Sequence, residues 1–180
     1  MSAAAPKTIP PVGEHDHTRG ADHPKLTIIE YGDFGCPYCF AAQRPVESLM
    51  QRYEGVRLVW RHFPDPEIHP NADLAAELSE LAAVHGSFWE AFSLLLAGRE
   101  SFSMDGLLAV AERLGLERSD TEAALEDHVY RDRVLEDIAG GRSAGVEGTP
   151  TFFLNGERLV GHWRQLAVLV PEIVGAGDRP

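Results

Sequence analysis

Cys36 and Cys39 are the only cysteines in a chain of 180 residues, and two residues separate them. Thiols at that spacing suit redox exchange or one half of a tetrahedral metal site. Pro37 follows the first cysteine at the position a helix start favours, and Phe40, Val46, Leu49 and Met50 fall near one face, which predicts a helix from Cys36 to about Tyr53. At a helix start the first sulfur meets unpaired backbone N–H groups and the positive end of the helix dipole, so thiolate is favoured over thiol. Cys39, nearly one turn on, points inward and is placed to attack a mixed disulfide on Cys36. A zinc site would need two further ligands; there is no second C-x-x-C, and His62 and His69 lie across a proline-rich turn. A structural disulfide closing so short a loop would add little stability. Redox catalysis is therefore the reading the pair favours, with no metal and no organic cofactor expected.

Composition narrows the partners. The 16 basic residues against 28 acidic ones give a formal charge of -12, which repels phosphate backbones and anionic lipid surfaces, so nucleic acid is not an expected partner. No apolar run is long enough to span a bilayer. The segment Met1 to His23 holds no apolar stretch of the kind an export signal needs, so a cytoplasmic protein is the simpler expectation. The alternative is an exported protein whose signal is absent from this chain. His15, His17 and His23, with Asp16 and Asp22 between them, match no familiar chelating pattern and read as a polar arm folding back on the domain.

The elements that must position the cysteines follow from periodicity. Lys25 to Tyr31 is short, β-branched and bounded by Pro24 and Gly32, as expected of a strand buried on both faces; Glu30 is the anomaly within it. Pro45 predicts a kink in the helix that follows. Val56 to Phe63 reads as a second strand. Helical spacing then runs from Pro70 to about Gly145, with Ser87/Glu90 and Ser119/Glu122 as candidate capping boxes, Ser103 as a helix start and Gly115 as a stop. Gly140 and Gly141 suggest a break or hinge. Thr151 to Leu154, the Asn155-Gly156 turn and Arg158 to Val160 form a hairpin signal. A last helix carries Leu166, Leu169, Val170 and Ile173, bent at Pro171.

This order resembles the thioredoxin-fold superfamily and, within it, the DsbA-like thiol:disulfide oxidoreductases. The matching stretches are I-I-E-Y-G-D-F-G-C-P-Y-C, then R-H-F-P, the H-P opening the helical block, F-W-E, and G-T-P-T-F-F-L-N-G, which together span most of Lys25 to Gly175. The resemblance implies an α/β thioredoxin fold of about four strands with an inserted helical domain: an arm over 1–24, a discontinuous thioredoxin-like domain over 25–66 and 146–180, and the insertion over 67–145. C-P-Y-C alone would also suit a glutaredoxin, but the long insert argues against that small fold.

The resemblance also assigns roles. Cys36 is the expected nucleophile and Cys39 the resolving thiol. Glu30 either turns to solvent at a sheet edge or, as the buried acid six residues before the first cysteine, exchanges protons with Cys39. Thr149-Pro150 is expected to be a cis bond lying beside Cys36, with Thr149 offering its backbone to an extended substrate; Pro37 and Tyr38 complete the expected substrate-binding set. Asp33 reads as a more exposed loop cap. Tyr38 stands where strong oxidants of this family carry histidine, which implies a potential between about -270 mV, as in thioredoxin, and about -120 mV, as in DsbA. The expected partners are protein or peptide thiols and disulfides plus an unidentified redox partner. The competing function is a redox-sensing or regulatory module without substantial turnover. Similar domains occur fused to membrane transporters, and no fusion is visible in this sequence.

Overall fold

The strands interleave with helices in the order the periodicity predicts, with one addition at the start. The computed structural model describes residues 8–98 and 102–175. Strand β1 (His17–Gly20) is followed by β2 (Leu26–Gly32), helix α1 (Pro37–Arg52) and β3 (Val56–His62). Five helices come next: α2 (Ala72–Val84), α3 (Phe88–Ala97), α4 (Met104–Arg113), α5 (Arg118–Glu126) and α6 (Arg131–Ser143). The hairpin of β4 (Thr151–Leu154) and β5 (Glu157–Arg158) then leads through a short 3₁₀ turn to α7 (Leu166–Val174).

The five strands form one sheet in the order β1-β3-β2-β4-β5. β2 and β3 run parallel, with Glu30 opposite Trp60, while β4 is antiparallel to β2, with Glu30 opposite Phe152. Alternation along β2 sends Leu26 and Ile28 into a core with Ala42 and Val46 of α1 and Leu166 and Val170 of α7. Ile29 and Tyr31 point the other way, toward Ala144, Val146 and Phe153. Glu30 shares the α1 face with Leu26 and Ile28, so it is buried in a central strand and not turned to solvent at an edge.

The arm supplies a fifth strand beyond the four expected: β1 pairs antiparallel with the edge of β3. Arg61 of β3 holds it there. Its guanidinium donates to both carboxylate oxygens of Asp16 (2.7 and 2.9 Å), to the Pro10 and Pro11 carbonyls (2.9 and 3.0 Å) and to the Tyr31 hydroxyl (3.1 Å). A buried fork with this many acceptors is geometrically satisfied, and in such pairs both charges persist.

Several local expectations are corrected. Ser103 caps α4, accepting from the Gly106 N–H, but the other two capping boxes do not form. Ser87 instead donates its hydroxyl to the Ala82 carbonyl, and α5 begins at Arg118 with Glu117 as its cap. Helix α6 continues through Gly140 and Gly141 without a break. The reason is packing: a Cβ at Gly141 would lie 2.9 Å from the Phe63 ring and 3.0 Å from Tyr31, so the glycine lets α6 approach the sheet. Phe40 faces outward, Ile173 is exposed, and Val174 takes the inward place at the end of α7. The hairpin turn is as expected, with positive φ at both Asn155 and Gly156.

Candidate active site

β2 ends at Gly32 and α1 begins at Pro37, so the four residues between them set the sulfurs at the carboxyl end of the parallel strands. Cys36 is the N-cap of α1 in extended conformation, with Pro37 at the first helical position. Cys36 lies on the floor of an apolar groove whose walls include Tyr38, Phe63, Ile68, His69 and Thr149. Its Sγ is 3.4 Å from the Thr149 carbonyl oxygen, which accepts from it in the thiol form. The Thr149–Pro150 bond is cis. Cys36 and Cys39 are both buried and are not joined in a disulfide.

The two thiols are driven apart electrostatically. A hydrogen bond from the Cys39 thiol, helped by the Thr149 side chain and the backbone N–H groups of Cys39 and Tyr38, outweighs burial and brings Cys36 down to about 5. Burial pushes Cys39 well above the ordinary thiol value, reinforced by its bond to Cys36 and by the Glu30 and Cys36 charges. At neutral pH this leaves a thiolate at Cys36 and a thiol at Cys39. The Asp33 N–H donates to Cys39 Sγ at 3.5 Å.

Glu30 stands behind the pair, fully buried. Burial raises its carboxyl to about 8, against the opposing bond from Gln43. Gln43 Nε2 donates to Glu30 Oε2 at 2.8 Å, whereas Glu30 Oε1 and Gln43 Oε1 are buried without a protein partner. Glu30 is thus a neutral acid at pH 7 that can give up a proton near neutrality.

Gln43 is a polar group that sequence reasoning missed, and Asp33 is one whose burial it missed. Gln43 lies four residues after Cys39, on the face that Ala42, Val46 and Leu49 bury, and that spacing was the available signal. Asp33 is a loop cap as expected but is buried, not exposed. It accepts from the Gly35 N–H (2.7 Å), the Asp65 N–H (3.0 Å) and His69 Nδ1 (2.8 Å). Its importance depends on the β3–α2 turn folding back over the β2–α1 loop, which no local pattern reveals.

The histidines considered as metal ligands are dispersed. His69 binds Asp33, while His62 joins His17 of β1 around Glu80 of α2, with both imidazole Nε2 atoms within 2.9 Å of Glu80 Oε1. Three ligand-type atoms converge there within 4.8 Å. The Trp60 indole N–H donates to His62 Nδ1 at 3.3 Å, which makes Nδ1 an acceptor and puts the His62 proton on Nε2, facing Glu80. A metal ion on Nε2 would move that proton to Nδ1 and set two N–H groups against each other. The cluster is accordingly a hydrogen-bonded network tying arm, sheet and insert together.

A sheet with a parallel β2–α1–β3 unit, an antiparallel β4, a helical insert and a C-x-x-C at the start of α1 defines the DsbA-like class of thioredoxin folds. A thioredoxin family model matches residues 13–167, and the chain belongs to the thioredoxin family. Among solved structures it is similar to oxidised BdbD from Bacillus subtilis (TM-score 0.81, 17% identity, 93% of this chain and 97% of that one). It is also similar to α-DsbA1 from Wolbachia pipientis (TM-score 0.74, 17% identity, 92% and 93%). A periplasmic thioredoxin-like protein from Salmonella enterica serovar Typhimurium is a further match (TM-score 0.67, 22% identity, 89% and 90%). Among curated proteins it is 42% identical over 150 residues to Na(+)/H(+) antiporter NhaA 3 of Salinispora tropica, covering 83% of this chain and 23% of that protein. It is 36% identical over 156 residues to Na(+)/H(+) antiporter NhaA of Herminiimonas arsenicoxydans (86% and 25%). The chain spans about a quarter of the length of these curated relatives. Family and fold together support a thiol–disulfide oxidoreductase kind of enzyme. Among the described residues, no helix is long and apolar enough to cross a membrane.

Proposed function

We propose that the chain exchanges disulfides with protein or peptide substrates through Cys36 and Cys39. The observation that carries this is the opposite poise of the two sulfurs, thiolate at Cys36 in an open groove and thiol at Cys39 beneath it. The Cys36 thiolate attacks a substrate disulfide, the Cys36–S bond forms, and one substrate sulfur leaves. Glu30, once its own proton has passed to solvent, takes the proton of Cys39, and the Cys39 thiolate attacks Cys36, releasing the second substrate sulfur. In the oxidising direction the same steps run backward, and a separate redox partner restores the starting state. Pro37, Tyr38, Thr149 and Pro150 are the substrate-binding residues in this reading, with the Thr149 backbone pairing to an extended chain.

Insulin reduction and oxidative refolding of a reduced protein test the proposal. The wild type turns over in at least one assay, Cys36→Ser is inactive, and Cys39→Ser accumulates a mixed disulfide. Retained activity in Cys36→Ser would remove the mechanism. Redox titration against glutathione should place the pair between about -270 and -120 mV.

A second reading, a redox-sensing module, is supported by the likeness to one segment of proteins named as antiporters. It calls for a pair that titrates reversibly with no turnover in either assay. For compartment, the comparisons offer no support to the cytoplasmic expectation. The similarity to a periplasmic protein favours the exported alternative, which fractionation of the source cells would test.

A further inference from the structure

Three features of the groove are not used by the steps above. His69 lines the same groove as Cys36. Its Nδ1 is bound to Asp33 Oδ2 at 2.8 Å, and the same Oδ2 accepts the Asp65 N–H while Oδ1 accepts the Gly35 N–H. A carboxylate receiving three donors fixes Nδ1 as the protonated nitrogen, so in the neutral ring the free electron pair is on Nε2. The His69 side chain is 22% exposed while Asp33 is fully covered, so the ring is wetted on one side and anchored on the other. Gly35 is shaped for this arrangement: a Cβ there would lie 2.5 Å from His69 Cβ and 2.8 Å from Cγ. The residue immediately before the nucleophile therefore gives its space to an imidazole that the cysteine chemistry, as written so far, does not need.

We propose that His69 exchanges protons with the substrate sulfur at Cys36, with Asp33 as the positioning residue that orients the ring. The assignment rests on the disulfide-exchange reading and adds to it the group that handles the substrate's own proton. In the oxidising direction His69 Nε2 takes the proton from a substrate thiol. The resulting thiolate forms a bond to Cys36 Sγ, the Cys36–Cys39 bond breaks, and Cys39 leaves with the electron pair and is protonated from Glu30. The second substrate thiol loses its proton to solvent, its thiolate attacks the substrate sulfur of the mixed disulfide, Cys36 departs as a stable thiolate, and Glu30 is reprotonated from solvent. The substrate dithiol is oxidised, the enzyme disulfide is reduced, and His69 returns its proton to solvent. In the reducing direction the imidazolium protonates the sulfur that Cys36 displaces. The charged or titratable groups around the ring are Asp33 from the β2–α1 loop, Asp65 from its own turn, Cys36 at the start of α1 and Glu147 from the segment before β4.

The test uses the full chain, oxidised, and two thiols: a cysteine-containing peptide, protonated at pH 7, and an aryl thiol already ionised there. His69→Gln keeps a donor for Asp33 but cannot titrate. The expected result is a loss of about a hundredfold in the rate of Cys36–Cys39 reduction by the peptide, the lower end of positioned proton transfer, and a loss of less than about threefold with the aryl thiol. The ultraviolet thiolate titration of Cys36 and the thermal midpoint should be unchanged. Equal losses with both thiols would show a structural role and overturn the proposal. A displaced Cys36 titration would also overturn it, since His69 would then act on the enzyme's sulfur and not the substrate's. A wild type that reacts with neither thiol would overturn the disulfide-exchange reading and this assignment with it; a reactive wild type with a constant ratio overturns this one alone. Asp33→Asn, with the ring loosened, should fall between wild type and His69→Gln with the peptide; a wild-type rate would remove Asp33 from the proposal.

Discussion

Glu30 and Glu80 are both buried glutamates on the interior side of the molecule, and their surroundings drive them in opposite directions. Glu30 has one amide donor and an oxygen with no protein partner, so burial prevails and its carboxyl rises to about 8. Glu80 is also penalised by burial, but the hydrogen bonds from His17 and His62 outweigh the penalty and hold it well below the usual carboxylate range. Arg61, with five acceptor contacts, belongs with Glu80. Within this pair, the glutamate that is well supplied with donors helps to fasten the arm, and the one left short of partners sits under the sulfurs, where the proposed exchange calls for a movable proton.

The contrast is sharpest at Arg61. Arg61→Met should destabilise the protein by about 3–5 kcal/mol, because it leaves Asp16 uncompensated, while the Cys36 thiolate titration stays in place. Denaturant unfolding and absorbance at the thiolate band check both halves; a shifted thiol would mean that the two regions are coupled. Glu30→Gln should act with the opposite sign. Since the folded value of Glu30 exceeds that of the unfolded chain, the folded state holds the extra proton between about pH 4.5 and 8, and stability falls as pH rises through that window. The variant should therefore be more stable than wild type at pH 9 by about 2–4 kcal/mol, level with it below pH 4.5, and slower to resolve mixed disulfides. Unfolding curves across pH would show the two stabilities converging in acid.

Glu80→Gln should cost about 1–3 kcal/mol at pH 7. Glu80 stabilises the fold fully above its unfolded value, about 4.5, and loses that contribution as pH falls below it, so the variant's deficit should shrink in acid. A deficit independent of pH would refute the pairing with the two histidines. The smallest effect is expected at exposed Tyr38, where Tyr38→His should raise the reduction potential by about 30 mV for each pKa unit by which Cys36 falls. No shift would leave the middle dipeptide without a role in tuning the pair.

Much of the sulfur end was legible in the sequence because its determinants are local or periodic. C-P-Y-C marks a helix start, Glu30 interrupts a strand with an apolar pattern, and Asn155-Gly156 announces the hairpin. The cis Thr149–Pro150 bond came from resemblance and not from residue physics. What escaped depends on distant segments meeting. Asp33 looked exposed because its covering groups, Asp65 and His69, come from the other side of β3. The polar spacing of residues 15–23 concealed a strand whose stability comes from Arg61 and Glu80, far along the chain. Two of the three capping signals failed because Ser87 found a local acceptor in the last turn of α2 and α5 began before Ser119.

The arrangement of the sheet's margins has a consequence for the proposed exchange with extended chains. A long unpaired strand edge would recruit any extended polypeptide it met, whether or not that polypeptide carried sulfur. Here one margin is the four-residue β1, ending at Gly20, and the other is the two-residue β5, so neither offers a foreign segment more than a brief foothold. Backbone adhesion is thereby kept away from the flanks, and an incoming chain has better reason to settle in the groove above Cys36 than to nucleate aggregation on the enzyme itself.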